Sequence, residues 1–228
     1  MPRILNRPHL VWGWRGTLAD DVERQVGSVN AALASLGAQP VDFDTVRHHF
    51  ATSAPAICAG ILGRALTDRE RTRASMAFET YHSRRPPADL MPGTEDLLTL
   101  LIRSGCSHSV LSLSAHVGLA RHISDLGVAS LSLRVDGRTG PSARSKKQPL
   151  ARHLSTLRQT MGDRPIVLIG DAVDDVRAAF ANQIHPVPYT GGLTHPDILR
   201  SSGGPVAGTL AEAAALAVEY AHTEWPSP

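Results

Sequence analysis

The chain has 228 residues, 42% of them hydrophobic and 19% charged, which is enough apolar material for one large domain or a core with a small satellite and argues against wholesale disorder. No apolar run approaches 18 residues, so no membrane-spanning helix is expected, and the opening segment carries charges without an apolar stretch behind them, unlike a secretory signal. A net charge of +2, no long basic block and only 4% aromatic residues leave little with which to hold nucleic acid.

In chain order, the first expected element is a buried strand at residues 9–12, a short apolar run ending at Gly13. No strand is expected between Ala19 and Ala88. Residues 22–36, 43–63 and 67–83 read as helices instead. Gly37 to Pro40 is a helix stop, Thr67 to Glu70 has the form of a capping box, and Arg84-Arg85-Pro86-Pro87 ends the third helix. A further helix is expected at 94–104, then a strand at 109–111, a helix at 117–126 and a strand at 131–135. The pattern continues with a helix at 149–160, a strand at 165–169, a helix at 174–182, a weaker, proline-bearing strand at 186–189 and a last helix at 210–222. Strand–helix alternation of this kind predicts a doubly wound α/β sheet. The helical insert after the first strand predicts a separate cap, giving a core of residues 1–18 and 89–228 and a cap of residues 19–88. Cys58 and Cys106 sit far apart in apolar contexts and read as buried free thiols, which suits a reducing cytoplasm; no Cys/His spacing matches a zinc site. The tail from Glu224 to Pro228 reads as frayed.

Open α/β sheets bind ligands beyond the carboxyl ends of their strands, so the residues following each strand carry the chemistry. Here they are Gly13-Trp14-Arg15-Gly16-Thr17-Leu18, Ser112, Lys146 and Gly170-Asp171-Ala172-Val173-Asp174-Asp175. Thr17, the amides around Gly16, the Ser112 hydroxyl and the Lys146 ammonium can donate to an anion. Arg15 can fork onto a phosphate or carboxylate. Lys146 and Lys147 are the only lysines among 23 basic residues, and a lysine is a compact point charge where an arginine is a planar fork. Each residue also has a plainer reading: Ser112 as a buried strand hydroxyl, Asp171 as a helix cap, and Asp174 and Asp175 as first-turn acids favoured by the helix dipole. Trp12 reads as core, while Trp14 and His116 are candidates for lining a pocket. Asp136 and Arg138 read as a turn. Asp20 and Asp21, the carboxylates nearest the first loop, read as cap-side surface acids, with a role as substitute nucleophiles the alternative.

In order, these motifs resemble the haloacid dehalogenase superfamily of phosphohydrolases. That family carries Asp-x-Asp-Gly-Thr-Leu after its first strand, a Ser or Thr after the second, then a Lys, and Gly-Asp-x-x-x-Asp after a later strand. The helical insert lies where the family's cap lies, and Leu90-Met91-Pro92-Gly93-Thr94-Glu95-Asp96-Leu97 resembles its return linker. Size and cap position are most similar to the phosphoglycolate phosphatase-like branch. Val11-Trp12-Gly13-Trp14-Arg15-Gly16-Thr17-Leu18 also resembles an actinobacterial subgroup with Val-Trp-Asp-Trp-Asn-Gly-Thr-Leu, differing in two places. Arg134 to Ser142 and Tyr189 to Gly192 resemble that subgroup too.

The resemblance places Gly13 at the family's nucleophilic aspartate and Arg15 at its acid/base aspartate, so it implies that both groups are lost. Glycine has no side chain to form an aspartyl-phosphate, and a guanidinium does not release its proton near neutral pH. The Mg²⁺ that the family uses would keep Asp171 and Asp175 but lose the first carboxylate, so weakened metal binding is expected. The leading expectation is a pseudo-phosphatase, or a repurposed protein, that binds a phosphorylated or otherwise anionic small molecule. The alternatives are a Mg²⁺-dependent phosphomonoester hydrolase with a non-standard mechanism and a protein-interaction module with a vestigial pocket. A homodimer or a partner protein stays open.

Overall fold

The computed structural model describes residues 7–140 and 145–221. The expectations for the opening segment, for the Pro141–Ser142 end of the motif that starts at Arg134, for His222 and for the Glu224–Pro228 tail lie outside the described residues. Five parallel strands form one sheet in the order β3-β2-β1-β4-β5. They are β1 (His9–Trp12), β2 (Ser107–Ala115), β3 (Arg134–Arg138), β4 (Ile166–Gly170) and β5 (His185–Pro188). β1 is central, with Trp12 opposite Val110 on one side and Ile169 on the other.

Side chains on a strand alternate between faces, and the two faces have separate cores. Leu10, Trp12, Val110, Val167 and Ile169 face one apolar cluster. Val11, Leu111, Ile166 and Leu168 face the other. Helices cover both faces: α5 (Thr94–Arg103), α6 (His116–Asp125) and α10 (Leu210–Tyr220) supply Leu98, Ile123 and Ala213 to the first cluster, while α7 (Lys147–Met161) and α8 (Val173–Ala181) supply Leu154 and Ala179 to the second.

The insert after β1 is helical: α1 (Val22–Ser35), α2 (Phe43–His48), α3 (Ala54–Leu62) and α4 (Asp68–Ser83). These helices share a third cluster that includes Val29, Leu33, Val46, Cys58 and Ala74. The two strands of chain joining insert and sheet run side by side: Met91 N–H donates to Leu18 O, and Asp20 N–H to Asp89 O. Thr67 and Glu70 make the expected capping box at the start of α4. Cys58 and Cys106 are buried and free, in different clusters, and burial pushes the Cys58 thiol up to about 11. Among the described residues, no helix is long and apolar enough to cross a membrane.

Three local expectations are corrected. Residues 43–63 are two helices, because Ser53 is extended and Pro55 sits in the first turn of α3; proline there starts a helix and cannot continue one. The third strand lies at Arg134–Arg138, after a 3₁₀ turn at Val128–Leu131, so Asp136 and Arg138 are strand residues and not a turn. β3 is an edge strand, half-buried along its length, and therefore carries polar residues where an apolar run was expected. A five-residue helix, α9 (Pro196–Arg200), follows β5 unannounced by any apolar period.

Candidate functional site

Strand order reverses at β1, so the loops after β1 and β4 open beside each other at the switch point. The loop after β1 starts in sheet register, with Gly13 N–H donating 2.8 Å to Ile169 O, and then folds into tight turns closed by Thr17 and Ala19 amides on Trp14 O. Gly16 takes a left-handed φ of 66° there.

These turns present Thr17 to the first residue after β4. Thr17 Oγ1 donates to Asp171 Oδ1 at 3.1 Å, and Leu193 N–H donates to Asp171 Oδ2 at 2.9 Å. A Cβ on Gly16 or on Gly192 would stand 2.3 Å from Asp171 Oδ2, so two glycine backbones enclose this carboxyl group. Burial, then the neighbouring Asp175, pushes the Asp171 carboxyl up to about 7; the Leu193 amide and Lys146 pull the other way, and Asp21 adds to the rise.

Lys146, the residue before α7, forms an ion pair with buried Asp175, and its backbone N–H donates 2.7 Å to Asp174 Oδ2. The second Asp175 oxygen accepts from the Ala172 amide at 3.1 Å. Burial alone would lower the Lys146 ammonium, but Asp175, Asp171 and Asp174 outweigh it and hold the pKa above the usual lysine value.

Arg15 turns away from this cluster. Its Nη2 donates 3.0 Å to His82 Nε2 on α4, and its Nε lies 3.9 Å from Asp21 Oδ2. Burial, and then Arg15 and Arg24, hold the His82 ring down at about 3, so it is a neutral acceptor for the guanidinium. The expected fork onto a site anion is not the contact Arg15 makes in the fold, where it joins the first loop to the insert.

Other expectations also change. Asp21 is not a surface acid. It is 1% exposed, its Oδ1 accepts from Gly16 N–H at 2.8 Å and its Oδ2 from Gln25 Nε2 at 2.8 Å. The Gly16 amide is therefore engaged by Asp21 instead of being open to an anion. Asp20 is exposed, as expected. Ser112 is buried and its hydroxyl bonds within its own strand, donating to Ser114 Oγ and accepting from Ser114 N–H, both at 3.1 Å. Trp14 is buried in the same cluster as Trp12, its ring at right angles to His122. His116 starts α6 and its Nδ1 accepts from Gly137 N–H at 3.1 Å, which ties it to β3.

The fold thus brings together Thr17, Gly16, Lys146, Asp171 and Asp175, and turns Arg15, Ser112 and His116 to other partners. Sequence reasoning named Asp21 but read it as a surface acid, and it missed His82 and the Leu193 amide. Of the two missed, Leu193 had a signal, the Tyr189 to Gly192 motif beside it.

Three features of the cluster limit its chemistry. Gly13 offers no side chain, and a Cβ there would meet Thr17 Oγ1 at 2.8 Å. The expected anion donors Thr17, Gly16 and Lys146 are each satisfied by a carboxylate. Mg²⁺ seeks oxygen ligands around an octahedron, commonly one or two carboxylates. Asp171 and Asp175 each have both oxygens engaged by the protein's own donors, so the residues present are a poor match for the ion the sequence resemblance implies.

No protein-family model matches the chain. The chain is 24% identical over 196 residues to a phosphoglycolate phosphatase of Agrobacterium fabrum, covering 82% of each. Its fold is similar to that of a haloacid dehalogenase-like family hydrolase from Streptococcus pneumoniae, with a TM-score of 0.70, 19% identity and 90% and 95% of the two chains covered. It is also similar to Mycobacterium tuberculosis Protein Tyrosine Kinase A, with a TM-score of 0.74, 23% identity and 95% and 99% covered. The two names describe different chemistries on one architecture, so activity has to be argued from the site.

Proposed function

We propose that the chain, similar in sequence to a phosphoglycolate phosphatase and in fold to a haloacid dehalogenase-like hydrolase, is a phosphatase-derived protein of that superfamily that has given up aspartyl-phosphate chemistry and holds a phosphorylated or otherwise anionic small molecule. The observation that carries this reading is the state of the first loop. Gly13 has no nucleophile, and the Thr17 hydroxyl, bonded to Asp171, stands 2.8 Å from where a Cβ at that position would go. Tightly held Mg²⁺ has no place in the proposal, for the reasons of donor engagement given above.

An anion enters such a cluster by partner exchange. Four carboxylates, Asp21, Asp171, Asp174 and Asp175, surround Thr17, Gly16 and Lys146. Negative charge is admitted most readily when one of them is neutral, and Asp171, held at about 7, is the group that can become so near physiological pH. Protonated Asp171 no longer competes for the Thr17 hydroxyl as a charged acceptor, and it leaves more of the Lys146 charge for the ligand.

Sulfate, a tetrahedral dianion that does not titrate in this range, tests the idea. Binding coupled to one proton on a group at about 7 makes sulfate affinity about tenfold higher at pH 6 than at pH 8. Calorimetry on the full chain, in buffers of different ionisation enthalpy, is expected to show proton uptake on binding. Asp171→Asn is expected to bind at both pH values as the wild type does at pH 6. Affinity that is flat with pH, or that requires Mg²⁺, contradicts the reading.

One observation favours a second reading, Mg²⁺-assisted phosphomonoester hydrolysis without the usual nucleophile. A carboxyl group poised near 7 is suited to general acid–base work. That reading requires turnover to depend on both Mg²⁺ and Asp171.

A further inference from the structure

The insert and the sheet domain meet a second time, away from the Asp171 cluster. α2 packs against the loop after β5: Arg47 Nη2 donates to the carbonyls of Thr190 and Thr194 at 2.6 and 3.2 Å, and His195 N–H donates to Arg47 O at 3.1 Å. This contact stacks the rings of His48 and His195, with centroids 3.8 Å apart. Asp44, one helical turn before His48, places its carboxylate 3.5 Å from His48 Nδ1 and 3.7 Å from His195 Nε2. One ligand atom from each of the three lies within 4.8 Å of the other two.

We propose that Asp44, His48 and His195 form a binding site for a borderline divalent cation of the zinc type, which fastens α2 to the loop that carries Leu193. Tetrahedral sites have metal–ligand bonds of about 2.0–2.2 Å, so their ligand atoms stand about 3.3–3.6 Å apart. The spacings to the Asp44 carboxylate are already close to that. Asp44 and His48 are exposed side chains; His48 Nδ1 lies 2.9 Å from Asp44 O, a backbone hydrogen bond that the metal would replace by a small rotation of the ring. Two imidazoles and one carboxylate are a donor set that suits zinc, with water as a fourth ligand, and a poor one for Mg²⁺ or Ca²⁺, which prefer all-oxygen shells.

The surroundings also suit a ligating histidine. His195 Nδ1 accepts from Asp197 N–H at 3.3 Å and lies 3.8 Å from Asp197 Oδ2; a metal on Nε2 moves the ring proton to Nδ1, which then turns from the amide to that carboxylate, the pairing that orients a ligating histidine. The site joins two parts of the chain far apart in sequence, and a cation there links the insert to the loop whose Leu193 amide holds Asp171. It shares no residue with that cluster, so its fate is independent of the anion-binding reading.

The test is a titration of the metal-free full chain with Zn²⁺ by calorimetry and with Co²⁺ by visible absorption. One equivalent is expected to bind, with release of protons and a rise in Tm. His48→Ala and His195→Ala are each expected to weaken binding by at least about tenfold and to abolish the Zn²⁺-dependent rise in Tm, with unchanged far-ultraviolet circular dichroism. His116→Ala, outside the site, is expected to leave binding as it was. Failure of the wild type to take up the metal, or undiminished binding by both His48→Ala and His195→Ala, overturns the proposal.

Discussion

Replacing Lys146 by methionine is expected to destabilise the protein by about 3 to 5 kcal/mol, the usual range for removing one partner of a buried ion pair. The Lys146 and Asp175 side chains are 12% and 3% exposed, so neither charge is solvated once the other is gone. Methionine keeps most of the lysine volume, which makes the loss electrostatic instead of a cavity effect. Asp175 would be left beside Asp171 with only the Ala172 amide in support. The double variant Lys146→Met/Asp175→Leu removes the orphaned charge as well and is expected to recover much of the loss. Urea denaturation of the wild type, both single variants and the double variant measures the coupling. Additive losses contradict a buried pair.

Acid is expected to weaken the fold through His9, by about 2 to 3 kcal/mol between pH 7 and pH 4.5. The His9 ring is fully buried in the sheet and bonded at both nitrogens, Nδ1 to Ser107 Oγ at 2.8 Å and Nε2 to Ser109 Oγ at 2.7 Å. Burial first, then His153, His108 and Arg164, holds its pKa at about 3 against an ordinary 6.5. The unfolded chain therefore takes up a proton below about 6.5 that the folded chain refuses, and stability falls with pH from there down to about 3. Asp171 works in the opposite direction. Its folded pKa of about 7 lies above the ordinary carboxylate value, so between pH 7 and pH 4 protonation favours the folded state.

The whole-protein profile is the difference of these two effects, and variants separate them. The drop in unfolding free energy from pH 7 to pH 4.5 is expected to be smaller in His9→Leu than in the wild type by that same 2 to 3 kcal/mol, and larger in Asp171→Asn. Equal drops in wild type and His9→Leu contradict a neutral buried His9.

What the sequence made legible was set by short-range physics. Strands β1 and β4 are apolar runs closed by Gly13 and Gly170, because a central parallel strand is buried on both faces and must end in a residue that lets the chain turn. The loops at the switch point follow from those ends, so Gly13, Thr17, Asp171 and Asp175 could be found without coordinates. The directions of polar side chains could not. Arg15 has its partner in His82 at the far end of the insert, and no local pattern links the two. Asp21 looks like any acid at a helix start, yet it turns back to the Gly16 amide because the loop brings that amide to it. β3 escaped its expected bounds because an edge strand needs no apolar run, and the break before α3 was hidden by a helical period on either side of Pro55.

Gly13 and Arg15, the two departures from the motif after the first strand, also have different consequences in the fold. Gly13 removes a side chain beside Thr17, whose hydroxyl lies 2.8 Å from the place of a Cβ there. Arg15 places no cation at Asp171; it ties the loop to α4. Restoring an aspartate at Gly13 must therefore shift the Thr17 hydroxyl as well as add a carboxylate.

The central claim is that this site no longer hydrolyses phosphomonoesters through Mg²⁺ and an aspartyl-phosphate. Phosphate release from a broad panel of phosphomonoesters, with and without Mg²⁺ and beside an Asp171→Ala control, tests it most directly. The account predicts no release above the control under either condition. Release that needs Mg²⁺ and disappears in Asp171→Ala contradicts it.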